Sequence, residues 1–382
     1  MGLLPKGRGR EPESSRNSLT RAIIVGFVAV VVLEGWIAWA LRTRAPEAGR
    51  LPEPNGYDEL VQAAMELRGA APAKPPQIAR TADADDGPPP TGPADLPSQE
   101  LDRLEVRSYL DANRNALERA RRALGSDSRV PVQFVHGYAR KSKGTRDAVG
   151  RLATLFLWEA WLAESEARHE DASRADLDLI RMGVAASRGG LQADALFGDD
   201  LINGGLAGLR RRLHRLEIGP CARAVQALTA IEEKREPRAR VIDRQKEYDR
   251  AEGWPIAVAI VQLTSSKARK EDREDASRYE EVVANLRLTQ IELALRIFRI
   301  RKGSDPNTLT ELVPHALRIL PFDPFNREPF RYTRTKTGHT LYSIGPDNHD
   351  DSGAPLQRSS FPPTGDLNPE SLSSSYEPIT AR

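Results

Sequence analysis

Residues 22–41, AIIVGFVAVVVLEGWIAWAL, constrain what the rest of this chain can become. About 20 apolar residues rising about 1.5 Å each cover about 30 Å, the thickness of a bilayer's hydrocarbon core. Lys6, Arg8, Arg10, Arg16 and Arg21 precede the run, and Arg42 and Arg44 follow it closely. Cytoplasmic flanks carry the excess of basic residues, so residues 1–21 are expected to form a cytoplasmic tail and residues beyond 41 to lie outside the cytoplasm. This is a single-pass inner-membrane topology with a periplasmic C-terminal region, and the lipid bilayer is the first expected partner. Trp36 and Trp39 then fall near the outer interface, where indole rings are favoured. Glu34 is costly inside a membrane. It reads either as a contact with a partner helix or as a protonated or snorkelling side chain. Ala38-Trp39-Ala40 also resembles a signal-peptidase site, so a cleaved signal peptide is the alternative to an uncleaved anchor.

Charge excludes one class of partner. With 56 basic and 54 acidic residues the net charge is +2, which gives no electrostatic footprint for nucleic acid. The single cysteine, Cys221, can form no intrachain disulfide. Followed by an apolar helical pattern, it reads as a small buried hydrophobe.

Beyond the run, residues 42–97 are rich in Pro and Ala and read as a tether, with one short docking helix over 57–68 where Leu60, Val61, Ala64 and Leu67 share a helical face. Residues 98–276 repeat helical periodicity broken at Gly189-Gly190, at Gly219-Pro220 and at Pro237. That pattern predicts a helical bundle or short α-solenoid. Within it, RRRLHRLE at 210–217 offers either a basic patch or the solvated face of a helix whose Leu209, Leu213 and Leu216 point inward.

The last part, 277–353, is expected to be a small α+β module, followed by a disordered tail over 354–382. A helix runs from Ser277 to Gly303 with Ala284, Leu288, Ile291, Leu295 and Phe298 at 4-3-4-3 spacing, one continuous apolar stripe. Thr308 and Glu311 are spaced as a capping box. FRYTRT and HTLYSI alternate around a loop containing Gly338 and read as a β-hairpin.

The order of these parts, with Asp323, Pro324, Phe325, Pro329, Tyr332, Leu341, Tyr342, Ser343, Gly345 and Asp347, resembles the C-terminal part of the type II secretion major pseudopilin, whose hairpin carries a DPWG-x-P-x-x-Y turn and an LYS-x-G-x-DG ending. The resemblance covers roughly 277–353. Over its whole length the chain also resembles single-pass bacterial envelope proteins with a DPF…YSIGPD ending. The pseudopilin likeness implies a calcium ion in the closing loop, and Asp347, Asn348, Asp350 and Asp351 supply the oxygen donors such an ion takes. Two features depart from the family. Glu34 stands three residues later than the prepilin glutamate would, counted from Phe27, and more than 200 residues separate the apolar run from the long helix.

The six histidines form no H-x-x-x-H pair, and no G-x-S-x-G, Walker or GxGxxG motif occurs. The expectation is therefore a mainly α, membrane-anchored interaction or scaffold protein rather than an enzyme. Glu34 and the stripe residues Leu288, Ile291, Leu295 and Phe298 are its candidate contacts with an unidentified envelope protein. A component of a type II secretion or pilus-like assembly is the alternative, and an envelope enzyme with a non-motif active site is the second.

Overall fold

Two buried asparagines determine where the chain first joins its own body. The computed structural model describes residues 32–33, 35–36, 50–72, 96–252, 266–336, 338–358 and 362–368. Asn55 caps helix α1 (Gly56–Met65): its Oδ1 accepts the N–H of Tyr57 at 3.3 Å and that of Arg129 at 2.9 Å, and its Nδ2 donates to the carbonyl of Arg129 at 2.9 Å. An extended residue whose side-chain oxygen satisfies a first-turn N–H is a standard helix start. Asn113, between helices α2 (Leu96–Ala112) and α3 (Arg114–Leu124), grips the other end, accepting from Arg68 N–H at 2.7 Å and donating to its carbonyl at 3.0 Å. Between the clamps, Leu60, Ala63 and Ala64 are buried in one cluster with Ala116, Leu117 and Ala120 of α3. The docking helix is thus present, starting one residue earlier and ending three residues earlier than 57–68. Residues 50–72 belong to the folded body rather than to a tether over 42–97.

Four further helices carry most of the core: α4 (Tyr138–Ser165), α5 (His169–Ser187), α6 (Gln192–Arg212) and α7 (Ile218–Lys234). α5 and α6 approach until their backbones touch. A Cβ added at Gly183 would stand 2.6 Å from the carbonyl of Gly198, and one at Gly198 would stand 2.5 Å from the carbonyl of Gly183. Only glycine permits that separation. Helix α8 (Arg238–Glu252) follows after Pro237, and α9 (Ser266–Lys302) begins 11 residues before the expected Ser277.

α9 ends at Gly303, whose φ of +76° favours glycine and whose N–H returns to the carbonyl of Arg299 at 2.8 Å. The Thr308–Glu311 capping box opens a short 3-10 turn, Leu309–Leu312. Strands β1 (Arg331–Arg334) and β2 (His339–Tyr342) pair antiparallel, Tyr332 opposite Leu341 and Arg331 opposite Tyr342. One core holds Ile180 of α5, Leu209 of α6, Leu228 of α7, Leu288 of α9, and Phe330, Leu341 and Leu367 of the terminal region. The boundary expected at 276/277 therefore falls inside α9, which joins the helical region to the hairpin. Nor does 354 begin a disordered tail. Ser343 bridges Leu367 and Gln357 bridges Thr364, with Asp366 and Leu367 fully buried.

Among the described residues the architecture is mainly helical with one two-stranded sheet. Among the described residues no helix is long and apolar enough to cross a membrane. Most of 22–41, Glu34 included, lies outside the described residues. Val32, Leu33 and Trp36 are helical and exposed.

Candidate functional site

The closing loop was the first candidate, and its carboxylates are directed elsewhere. Asp350 lies over the outer face of the hairpin, where Oδ1 accepts from Tyr342 Oη at 3.0 Å and Oδ2 from Arg331 Nε at 3.1 Å. The Ser352 N–H, then Tyr342 and Arg331, hold its carboxyl below the usual carboxylate range. Asp347 accepts the N–H groups of His349 and Gly365, both at 3.2 Å, and Asp351 pairs with His349 Nδ1 at 3.2 Å. Asn348 takes a positive φ of 57° within the turn. The calcium quartet Asp347, Asn348, Asp350 and Asp351 is therefore not gathered into a cation cage. Among the described residues no group of three His, Cys, Asp or Glu side chains is arranged to hold a metal ion. The neighbouring carboxylate that sequence reading missed is Asp366. It is fully buried, its Oδ2 accepts the Gly353 N–H at 2.6 Å, and its Oδ1 has no partner. One free carboxylate oxygen falls well short of the six to eight that calcium takes.

The apolar stripe, the second candidate, is covered by the chain itself. Leu288 and Ile291 have no exposed surface and Leu295 has 1%, all three in the core shared with α6 and α7. They are not a surface for a partner, because α6, α7 and the hairpin need that face of α9 to exclude water. Phe298 alone reaches the edge, lining a groove of about 220 Å³ with Leu312 and Ala316.

RRRLHRLE presents the expected solvated face at Arg211, His214, Arg215 and Glu217, which are exposed, but not at Arg210 and Arg212. Leu209, Leu213 and Leu216 do point inward, but Arg212 is buried between Asp176 and Glu164, with Glu164 at 2.6 Å. Arg210 reaches Thr289 Oγ1 at 2.8 Å and the Asn285 carbonyl at 3.0 Å. Desolvation pulls its guanidinium down to about 10.

A titratable cluster lies at the loop end of the hairpin. His339 Nδ1 lies 2.9 Å from Asp305 Oδ2, its Nε2 3.5 Å from Glu292 Oε1, and its ring beside that of Tyr332. Arg299 Nε reaches Asp305 Oδ1 at 2.6 Å. Burial lowers the His339 pKa, but Glu292 and Asp305 outweigh it and hold the group above its ordinary value.

One wide cleft was not visible in sequence. It measures about 770 Å³ and is walled by the entry segment 50–53, the turn after α3, the C-terminal ends of α5 and α7, and the start of α8. Its lining includes Arg50, Asp127, Arg129, Arg188, Lys234, Glu236 and Arg240, and no His, Ser, Thr or Cys. Asp127 is paired with Arg188. Burial pushes the Glu236 carboxyl up, but hydrogen bonds from Arg244 and the Gly189 N–H, with the charges of Arg244 and Arg129, hold it below the usual range. Arg235 forms a rigid wall, paired with Asp199 and stacked 3.8 Å over the Tyr279 ring. The cleft's contributors come from five places between residues 50 and 240, so no local motif could announce it. The arrangement can hold an anion by charge, but it sets no nucleophile beside a base.

No family model, curated protein or solved structure matches the chain.

Proposed function

We propose that this chain is a membrane-anchored extracytoplasmic interaction or scaffold protein, held to the bilayer by residues 22–41 and working through its helical body, a bundle of α1 to α9 carrying a pseudopilin-like hairpin module. One observation carries the reading: the Asn55 and Asn113 clamps fasten residues 50–72 to the body, so the chain leaving the apolar run joins the body after residues 42–49 alone. The wide cleft, lined by charge without a nucleophile–base pair, supports ligand holding rather than catalysis.

The test is topology. Lys336→Cys places a thiol in the exposed hairpin loop, while native Cys221 has no exposed surface. A membrane-impermeant maleimide added to intact spheroplasts is expected to label the variant and not the parent chain. Protection of the variant would reverse the topology, and a mature chain starting at Leu41 would replace the anchor with a signal peptide.

A second reading, a component of a pseudopilus-like assembly, is favoured by the Asp323 turn, which ties the DP-aromatic segment to the end of the hairpin through the Ile344 N–H at 3.1 Å. Co-purification with a pseudopilus after crosslinking in cells would favour it over the first.

A further inference from the structure

We propose that the cleft between residues 50–53 and the start of α8 binds the phosphate-bearing headgroups of anionic lipid at the surface of the membrane that anchors the chain; the inference rests on the anchor reading above.

Three observations converge on it. The first is position. Residue 50 is in the cleft wall and residue 41 ends the apolar run. Nine residue steps span at most about 30 Å even when fully extended, whatever conformation they take. The cleft therefore cannot lie far from the bilayer, and its mouth is where the chain enters the body.

The second is unspent charge. Arg50, Arg129, Lys234 and Arg240 line the cleft, and among the described residues none makes an ion pair with a carboxylate, Arg129 acting on Glu236 through its charge alone. Of the lining carboxylates, Asp127 and Glu236 are committed to Arg188 and Arg244, and Glu53 and Glu233 remain against those four cations. Arg129 is held in place: Gly189, at φ +78°, leaves room for its stem, and a Cβ there would stand 2.3 Å from Arg129 Cγ.

The third is placement against the helix field. Lys234 ends α7, where any cation is favoured by the helix dipole and needs no ligand to explain it. Arg240 does not have that explanation. It sits in the first turn of α8, which contains no acidic residue, at the end where a cation is disfavoured and an anion favoured. A phosphate diester between Arg240, Arg129 and Arg50 would reverse that repulsion. The adjoining crevice of about 130 Å³ has a mixed lining, with Val184, Ala185, Ala227 and Ile231 beside Arg181, Arg188 and Lys234.

The experiment uses the full chain with Ala239→Cys labelled by a fluorophore, reconstituted into phosphatidylcholine vesicles with or without phosphatidylglycerol, both carrying a nitroxide-headgroup lipid as quencher. Flotation with the vesicles reports the anchor, and quenching reports the cleft. The expected result is flotation with both vesicles and stronger quenching with phosphatidylglycerol, weakened by salt. Each basic residue at an anionic surface contributes about fivefold to the docked population. Arg50→Gln, Arg129→Gln and Arg240→Gln together should abolish the difference, while Lys141→Gln, Lys143→Gln and Arg318→Gln, equal in charge and distant in sequence, should preserve it. Flotation with both vesicles and equal quenching overturns the inference and leaves the anchor standing. Flotation only with phosphatidylglycerol removes the anchor and upholds the headgroup site. Flotation with neither removes both. Release of the quench by inorganic phosphate at matched ionic strength overturns the lipid source in favour of a soluble phosphate.

Discussion

Asp323 holds Ile344. Its Oδ2 accepts the Ile344 N–H at 3.1 Å at the end of β2, while its Oδ1 accepts the Phe325 N–H at 3.1 Å within its own turn. One carboxylate with 1% of its surface exposed thus closes the turn before the hairpin and pins the segment after it. Asp323→Ala leaves the buried Ile344 N–H unpaired, at about 1–3 kcal/mol. Asp323→Asn keeps one acceptor and should lose less. Chemical denaturation of the two variants beside the parent checks the order, and equal stability of all three would mean the turn does not depend on this side chain.

Leu295→Asp places a charge where 1% of the side chain is exposed, in a core shared by α6, α7, α9 and the hairpin. An unpaired buried charge costs several kcal/mol. Because α9 joins both regions, limited proteolysis is expected to open α6 and α7 as well as the hairpin. Phe298→Asp, at the rim of its groove, should be clearly milder. Proteolysis confined to residues after 302 in the Leu295 variant would show that the hairpin region has a core of its own.

These two positions show what the sequence made legible. The 4-3-4-3 stripe of α9, the capping box at Thr308, the hairpin and the inward set Leu209, Leu213 and Leu216 all follow from local periodicity, and all are present. Periodicity identifies an apolar face, but it does not say what covers it. Hence the stripe suited a partner as well as it suited α7. The same limit hid Arg212, whose burial depends on Asp176 and Glu164 arriving from two other helices. The loop Asp347–Asp351 showed its donors in one short string, yet Arg331 and Tyr342 across the hairpin decide where Asp350 points. The cleft could not be read at all, since Arg50, Arg129 and Arg240 meet only after the fold is complete.

Arg212 and Asp176 are both almost wholly buried. Asp176→Ala leaves the guanidinium with Glu164 alone, and removing one partner of a buried pair costs about 3–5 kcal/mol. Replacing Asp176, Glu164 and Arg212 together with apolar residues of similar volume should recover much of that loss. A thermodynamic cycle on these variants tests it. Full additivity of the single substitutions would mean that the charges do not interact.

For the closing loop, thermal unfolding with calcium, with magnesium and with chelator is expected to give coincident curves, because Asp347, Asp350 and Asp351 already have partners. A calcium-specific rise in Tm that Asp366→Asn removes would assign the free Oδ1 of Asp366 to a cation instead.

The His339 cluster sets a pH dependence whose sign follows from its neighbours. Burial alone would lower its pKa, but Glu292 and Asp305 raise it above the ordinary 6.5, although the Arg299 guanidinium also lies at Nδ1 and Tyr332 lies against the ring. A raised histidine binds its proton more tightly folded than unfolded. Its stabilisation is complete below about 6.5 and is lost as the pH climbs through the folded value. Asp305 works in the opposite direction. Burial raises its pKa, but Arg299 and His339 outweigh that and lower it, so its contribution is present above the ordinary 3.8 and is lost as the pH falls through the folded value. The two together are strongest between those limits. The Tm of the parent chain should therefore decline from mildly acidic toward alkaline pH more steeply than that of His339→Gln, which keeps a polar side chain without the titration. Parallel Tm profiles for the two chains across neutral pH would show that the His339 proton does not contribute to stability.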